Sequence, residues 1–111
     1  MDTTSLSSDE KKAYQKIEAI RQRVLKGENM ATLATLYTED PGSSKTGGMY
    51  TNVARGMFVP EFEAAAFALK PGEISDVFQT TYGFHFVQLI ARNGEIINVR
   101  HILITPKTNE K

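Results

Sequence analysis

The sequence predicts an α+β fold, in which helices near the N-terminus are followed by an antiparallel sheet. Two observations predict it: apolar residues recur every three or four positions up to residue 69, and from residue 74 onwards the period changes to two. Helices that precede strands joined by short turns favour a two-layer domain. The length of 111 residues fits a single domain.

Three helices are predicted, each from its own pattern. The first has Ser8 as its N-cap, runs for about 18 residues and ends before Gly27. The second covers residues 30–37, and the third opens at Val59-Pro60, because proline fits the first turn of a helix. The residues expected to be buried repeat at helical spacing: Ala13, Ile17, Ile20 and Val24 in the first helix, Leu33, Leu36 and Tyr37 in the second, and Phe62, Ala65, Ala66 and Leu69 in the third.

Three strands are predicted in the C-terminal part, over residues 75–80, 84–91 and 96–105. The last two are joined by a hairpin at Asn93-Gly94, one of the strongest short hairpin signals. Earlier in the chain, Pro41-Gly42 suits the central positions of a type II turn, and residues 43–48 are expected to continue as a flexible loop.

Composition and charge exclude several classes of function. The 13 Lys and Arg balance 13 Asp and Glu, so the chain lacks the electrostatic footprint of a nucleic-acid binder. No cysteine is present, which excludes disulfides and thiolate chemistry. The longest stretch free of Asp, Glu, Lys and Arg, residues 77–91, is shorter than the roughly 20 residues of a membrane helix. We therefore expect no nucleic-acid partner and no membrane insertion, and the first eight residues contain no signal peptide.

The two histidines, His85 and His101, lie in the two strands of the predicted hairpin. A two-residue loop at Asn93-Gly94 would place them on opposite faces of the sheet, whereas a three-residue loop that begins at Arg92 places them directly opposite each other. We favour the three-residue loop, because it leaves the other face apolar for packing against the helices. The apolar residues of that other face are Phe84, Phe86, Ile102 and Ile104.

Two imidazoles about 5 Å apart at Cβ share protons and titrate as a coupled pair. The spacing alone does not decide between a functional site and a structural hydrogen bond. A metal site would need a third ligand; Asp40 is available, but the chain has no metal-binding spacing, so we expect no metal.

Five segments carry a resemblance to a known family. They are residues 56–63 (GMFVPEFE), 65–75 (AAFALKPGEIS), 82–85 (YGFH), 37–43 (YTEDPGS) and 100–103 (RHIL). Together they resemble the parvulin family of peptidyl-prolyl cis/trans isomerases, most closely the parvulin modules of SurA-like extracytoplasmic chaperones, over about residues 9–105 of the chain. The resemblance implies a parvulin-like (FKBP-like) fold, with an antiparallel sheet of about four strands and three to four helices.

The segment RHIL departs from the family order, since the family has it in its first strand and this chain has it in its last. Residues 95–105 either fill the vacant first-strand position or open a following module; we favour filling within the chain over strand exchange between two molecules. The chain is then a monomer, with a strand-swapped dimer as the alternative. We expect residues 1–7 to be a disordered lead, residues 8–105 the domain and residues 106–111 a tail.

The resemblance implies isomerisation of the peptide bond before proline in unfolded or extended polypeptides, without metal or organic cofactor, and a periplasmic or otherwise extracytoplasmic location. Its catalytic residues fall on His85, His101 and Asp40. Its substrate-binding residues fall on Phe58, Phe62, Tyr50, Met57, Tyr82 and Thr80. Phe58 replaces a frequent Met and Tyr82 a small hydroxyl residue, so the alternative function is a non-catalytic peptide-binding module of a folding chaperone. Phe62 would equally suit a core, and Asp40 a turn.

Overall fold

The structure, a computed structural model, describes residues 3–107. Its helices are α1 (Ser8–Leu25), α2 (Met30–Tyr37) and α3 (Pro60–Phe67), with a short 3₁₀ turn at Ser44–Thr46. Its strands are β1 (Met49–Val53), β2 (Phe78–Thr80), β3 (Gly83–Asn93) and β4 (Ile96–Ile104). The strands form one antiparallel sheet in the order β1-β4-β3-β2. The predicted α+β class and four-stranded antiparallel sheet are therefore confirmed.

The helices cover both faces of the sheet, so the prediction of a two-layer domain is wrong. On one face α1 and α2 pack against Phe84, Phe86, Ile102 and Ile104, the apolar face expected from the sequence. On the other face α3 packs against Val87, Leu89 and Val99. Neighbouring residues of β3 contribute to opposite cores, because successive strand side chains alternate between faces. The histidines share the α3 face, and that is where the site lies.

Helix α1 is capped by Ser7 rather than by Ser8. The Ser7 hydroxyl accepts a hydrogen bond from the Glu10 N–H at 3.1 Å, and the Glu10 carboxylate accepts one from the Ser7 N–H at 2.8 Å. This reciprocal pair needs a Glu three positions after the N-cap, which selects Ser7, with Glu10, over Ser8. Leu6 packs against the core, so the folded part begins before residue 8. Residues 1–2 of the expected lead and 108–111 of the expected tail lie outside the described residues.

The other two helices begin where the sequence predicted. Helix α2 spans Met30–Tyr37 and buries Leu33, but Leu36 is 65% exposed, contrary to its expected burial. Helix α3 has Pro60 in its first turn and buries Phe62 and Ala66. A helix of eight residues presents only a narrow stripe to its neighbour, and Leu36 falls outside it.

The strands differ from the prediction at two places. Strand β2 begins at Phe78 rather than at residue 75. The Ser75 N–H does donate to the Val87 carbonyl at 2.8 Å, but the Val87 N–H donates to the Ser75 hydroxyl and not to its carbonyl, so the regular ladder is interrupted there. Strand β1 lies directly after the expected loop, in a segment where the sequence pattern predicts no strand. Its ladder with β4 shifts register between Tyr50 and Val53, where Asn52 has a φ of 56°. An irregular edge strand of this kind has little period-two signal.

The hairpin register also differs from both predicted alternatives. The loop is Gly94-Glu95, since Asn93 pairs with Ile96, and Gly94 has the positive φ that a two-residue loop favours at its first position. A register shift between Leu89 and Ala91 follows. As a result His85 pairs with Leu103, and Val87 pairs with His101. The histidines are diagonal neighbours on one face, so the predicted common face is right and the direct opposition is wrong.

Strand β4 lies inside the sheet, hydrogen-bonded to β3 on one side and to β1 on the other within the same chain. Over the described residues 3–107, no helix has the length and apolar character needed to cross a membrane.

Candidate functional site

A groove of about 700 Å³ lies on the α3 face of the sheet, within the size range of small-ligand pockets. Its lining side chains come from the loops after α2 and β2 and from β1, β3, β4 and the start of α3: Glu39, Asp40, Pro41, Tyr50, Met57, Phe58, Val59, Phe62, Thr81, Tyr82, His85, His101, Leu103 and Thr105. The structure therefore brings eight of the nine predicted site residues to this groove. The ninth, Thr80, does not line it.

The two imidazoles form the floor of the groove. His85 and His101 are both buried, with 5% and 3% exposure, and their rings stack at 5.5 Å between centroids and an angle of 18°. Their Nδ1 atoms are 3.4 Å apart. Phe78 stacks on the other side of His85 at 5.1 Å between centroids. The diagonal position of the two histidines in the ladder allows this face-to-face contact.

The Asp40 carboxylate closes one end of this pair. Its Oδ2 atom accepts hydrogen bonds from His101 Nε2 at 2.8 Å, from the Tyr50 hydroxyl at 2.7 Å and from the Ser43 hydroxyl at 2.8 Å. Its Oδ1 atom accepts one from the Gly42 N–H at 3.1 Å. The bond from His101, followed by those from Tyr50 and Ser43, holds the pKa of Asp40 well below its usual range. Asp40 is therefore a carboxylate that accepts hydrogen bonds and donates none.

A row of side chains leads from Asp40 to Thr80. Because Asp40 is ionised, His101 Nε2 carries a proton and donates it in a hydrogen bond to the carboxylate. At the other end the Thr80 hydroxyl accepts a hydrogen bond from the Tyr82 N–H at 3.1 Å and lies 2.7 Å from His85 Nε2. Hydrogen-bond contacts therefore link Thr80, His85, His101 and Asp40 in one row.

His85 makes folding depend on pH. Burial, with the neighbouring His101 as a second cause, lowers the pKa of His85 to about 4. The unfolded chain, with an ordinary pKa of about 6.5, binds more protons between these values, so the folded state loses stability as the pH falls through this window. We expect the free energy of unfolding in urea to fall by about 2–3 kcal/mol between pH 7 and pH 4.5.

The variant His85→Gln isolates this effect, since it removes the titrating ring. Its free energy of unfolding is expected to change much less between pH 7 and pH 4.5. Equal slopes for the wild type and His85→Gln would contradict the assignment of the effect to His85.

An aromatic socket lies beside the imidazoles. Phe62 is 3% exposed, and its ring centroid lies 4.9 Å from that of Phe58 and 5.2 Å from that of His101. Tyr50 completes the wall at 5.0 Å from Phe58 and 5.5 Å from His101. Phe62 also packs with Val87 and Leu89, so this side chain belongs to the core and lines the groove as well.

The rim of the groove is apolar and exposed. Met57 is 57% and Tyr82 61% exposed, and both line the groove. Thr80 does not line it: its buried hydroxyl is bonded to His85, and Thr81 takes the lining position. The strand alternation turns Thr80 to the same side as Phe78, towards the imidazole ring.

Two residues of the site were missed by the sequence analysis. Ser43 is 1% exposed and its hydroxyl also lies 3.3 Å from His101 Nε2; Phe78 stacks on His85. A signal existed for each. Ser43 ends the turn that starts at Asp40, closed by its own N–H to the Asp40 carbonyl at 3.2 Å, and Phe78 shares strand parity with Thr80. That turn is not of type II, because Gly42 lacks a positive φ.

Across residues 3–107, no group of three or more His, Cys, Asp or Glu side chains is placed to hold a metal ion. The arrangement places an apolar groove next to a half-buried carboxylate that accepts hydrogen bonds from Tyr50, Ser43 and His101.

Comparison with known proteins agrees with this geometry. The family model for the rotamase PPIC-type PPIase domain matches residues 2–91. Foldase protein PrsA 3 of Bacillus cereus is 43% identical over 84 residues, which are 76% of this chain and 28% of that protein. Chaperone SurA of Nitrosococcus oceani is 36% identical over 88 residues, 79% of this chain and 21% of that protein.

A solved structure of peptidylprolyl isomerase PrsA from Bacillus cereus superimposes with a TM-score of 0.69 at 34% identity, over 74% of this chain and 32% of that one. The chain thus spans about a quarter of the length of the curated relatives that it matches. Because the family model covers most of the sequence, including α1 to β2 and most of β3, this chain belongs to the PPIC-type peptidyl-prolyl cis/trans isomerase family.

Proposed function

We propose that this chain catalyses cis/trans isomerisation of the peptide bond before proline in extended polypeptides and so assists protein folding. The observation that carries the proposal is the contact between the aromatic socket and the polar wall, which is formed by Asp40 and His101. The Phe62 ring lies against His101, whose Nε2 is bonded to the Asp40 carboxylate. A pyrrolidine ring seated on Phe58 and Phe62 therefore has its peptide bond beside that wall.

The physical problem is a barrier of roughly 18–20 kcal/mol, which arises from amide resonance. Resonance places negative charge on the carbonyl oxygen and double-bond character on the C–N bond. Twisting the bond by a quarter turn removes both, so the twisted amide has a less negative oxygen than the planar one. A site accelerates the rotation if it stabilises the twisted form more than the planar form.

The polar wall favours the twisted form through its charge. Within the described groove, the Tyr50 and Ser43 hydroxyls and His101 Nε2–H all point to Asp40 Oδ2. The wall consequently presents a carboxylate edge to the substrate rather than a free donor. A carbonyl oxygen next to a carboxylate is destabilised most when its own charge is greatest, which is in the planar amide, and burial strengthens the effect.

The roles follow from these positions. Phe58, Phe62 and Tyr50 hold the proline ring, and Met57 and Tyr82 contact the flanking chain at the rim. Asp40 supplies the charge, His101 orients it, and His85 packs against the His101 ring and holds it in place. No bond is broken and no cofactor takes part.

The experiment is NMR exchange spectroscopy on an Ala-Pro tetrapeptide with the purified chain. The proposal expects exchange between the cis and trans peaks to accelerate in proportion to protein concentration. An exchange rate equal to the uncatalysed rate at high protein concentration would refute it.

A second candidate, a peptide-binding module without turnover, is favoured by the size and rim of the groove. The groove of about 700 Å³ exceeds the needs of one proline ring, and Met57 and Tyr82 are both more than half exposed at its edge. Peptide-induced chemical-shift changes at these residues and at Phe58, without faster exchange, would select this function.

The whole protein is proposed to act outside the cytoplasm on proline-containing polypeptides, which is supported by the family membership. Strand β4 is proposed to fill the family's first-strand position within one chain, so that the protein is a monomer. The solution mass tests this, together with NMR contacts between β3 and β4 in a mixture of labelled and unlabelled protein. A dimeric mass with contacts between molecules would instead support a strand-swapped dimer.

A further inference from the structure

The side chain of Tyr50 contacts both the aromatic socket and the polar wall of the site. Its ring packs on Phe58 at 5.0 Å between centroids, and its hydroxyl donates to Asp40 Oδ2 at 2.7 Å. Burial and the neighbouring Asp40 raise the pKa of Tyr50 to about 12, so the hydroxyl stays protonated and remains a donor. The aromatic side of the socket is therefore hydrogen-bonded, through Tyr50, to the Asp40 carboxylate.

Gly42 makes this bond possible. Its φ lies outside the left-handed region, so its backbone conformation does not require glycine. A Cβ atom at this position would lie 2.5 Å from the Tyr50 hydroxyl oxygen and 3.4 Å from Asp40 Oδ1. The ring carbon that bears the hydroxyl would be 3.7 Å away, an ordinary contact. The only severe overlap is thus with the hydroxyl oxygen.

We propose that Tyr50 is a positioning residue, which holds the Asp40 carboxylate in place through its hydroxyl, and that Gly42 preserves the space for that hydroxyl. This inference rests on the proposed isomerase function and deepens it. Ser43 and His101 also bond Asp40, but Ser43 does not line the groove and His101 lies on its floor. Tyr50 is the donor whose ring packs on Phe58, so it links the carboxylate to the side of the socket that Phe58 forms.

The variants Tyr50→Phe and Gly42→Ala test this relation. The first removes the hydroxyl and keeps the ring, and the second displaces the hydroxyl and keeps it chemically intact. Each is expected to lower kcat about fivefold, the effect of one lost hydrogen bond. KM is expected to stay within twofold in Tyr50→Phe, because the socket wall remains.

The double variant gives the sharper test. In the absence of the hydroxyl, the Cβ of Gly42→Ala meets no severe overlap, so the double variant is expected to be no slower than Tyr50→Phe alone. Losses that multiply to about 25-fold would show that the two positions act independently and would overturn the inference. The matched control is Tyr14→Phe, a tyrosine on α1 that packs against Phe84 on the other face of the sheet; its kcat should equal that of the wild type.

A readout without catalysis separates this inference from the proposed function. Loss of the Tyr50 bond leaves Asp40 with one donor fewer, so the ¹⁵N and ¹H resonances of His101 Nε2–H should shift in Tyr50→Phe and Gly42→Ala and stay unchanged in Tyr14→Phe. Unchanged resonances with wild-type kcat in both variants would refute the positioning role while the isomerase function stands. A wild-type chain without activity would refute both statements about the reaction.

Discussion

Replacement of Asp40 by Asn is expected to lower kcat for an Ala-Pro peptide by about 10-fold or more, the equivalent of at least about 1.4 kcal/mol in the barrier. The substitution keeps the shape of the side chain and removes its charge. If the carboxylate acts by destabilising the planar amide, KM should remain unchanged or fall, because the ground state is relieved as well. The measurement is exchange or protease-coupled kinetics over a range of peptide concentrations.

The structure gives a second reason for this loss. Oδ2 of Asp40 accepts three hydrogen bonds and Oδ1 a fourth. An amide has one accepting oxygen, and its NH₂ group would face a donor in either orientation, so the row of hydrogen bonds from Thr80 is disturbed at its end.

The charge-matched control is Glu39→Gln at the neighbouring position. Glu39 also lines the groove, but its oxygens are bonded to the Lys107 ammonium at 2.7 Å and to the Thr105 N–H at 2.7 Å. Since its charge is already paired, we expect less than a threefold loss. A kcat for Asp40→Asn within twofold of the wild type would contradict the mechanism, and so would equal losses in both variants.

The sequence predicted most reliably what depends on local repetition. The bounds of α2 and the start of α3 follow from helical spacing and from Pro60, and both are confirmed. The meeting of the two histidines was predicted from the hairpin, but the place of Asp40 beside His101 was predicted from a resemblance, because these two residues are 61 residues apart and no local pattern links them.

The histidine pair shows why the remainder was not predictable. A two-residue loop at Gly94-Glu95 by itself would place His85 and His101 on opposite faces. The bulge between Leu89 and Ala91 shifts the register by one residue and returns them to the same face. A bulge of this kind depends on how the strand packs against the layers on either side of the sheet, and no local residue pattern in the sequence predicts this one.

Glycines were misread for a related reason. The Pro41-Gly42 pair predicts a type II turn, which requires a positive φ at Gly42, whereas the structure uses Gly42 for the space that it leaves beside Tyr50. The sequence predicts a flexible loop at Gly48, whereas Gly48 lies directly against β4. Close approach between distant segments is a tertiary property, so local turn rules cannot reveal it.

Gly48 is where we expect the largest loss of stability. Its φ is +80°, and an added Cβ would overlap the carbonyl oxygen of His101. Backbone bonds on both sides fix this approach: the Gly48 N–H donates to the Ser43 carbonyl at 2.8 Å, and the His101 N–H donates to the Gly48 carbonyl at 2.9 Å. Gly48→Ala must therefore separate the start of β1 from β4 at the position of His101.

We expect Gly48→Ala to lower the free energy of unfolding by about 3–5 kcal/mol, since it combines left-handed strain with backbone overlap. Gly56→Ala is the matched control, because Gly56 has a similar φ of +89° but no atom within 4 Å of an added Cβ. Strain alone should cost it about 1–2 kcal/mol. Urea unfolding at pH 7 measures both. Equal losses would mean that the contact with His101 is not tight, and the close packing of β1 against β4 that places Tyr50 beside His101 would then be wrong.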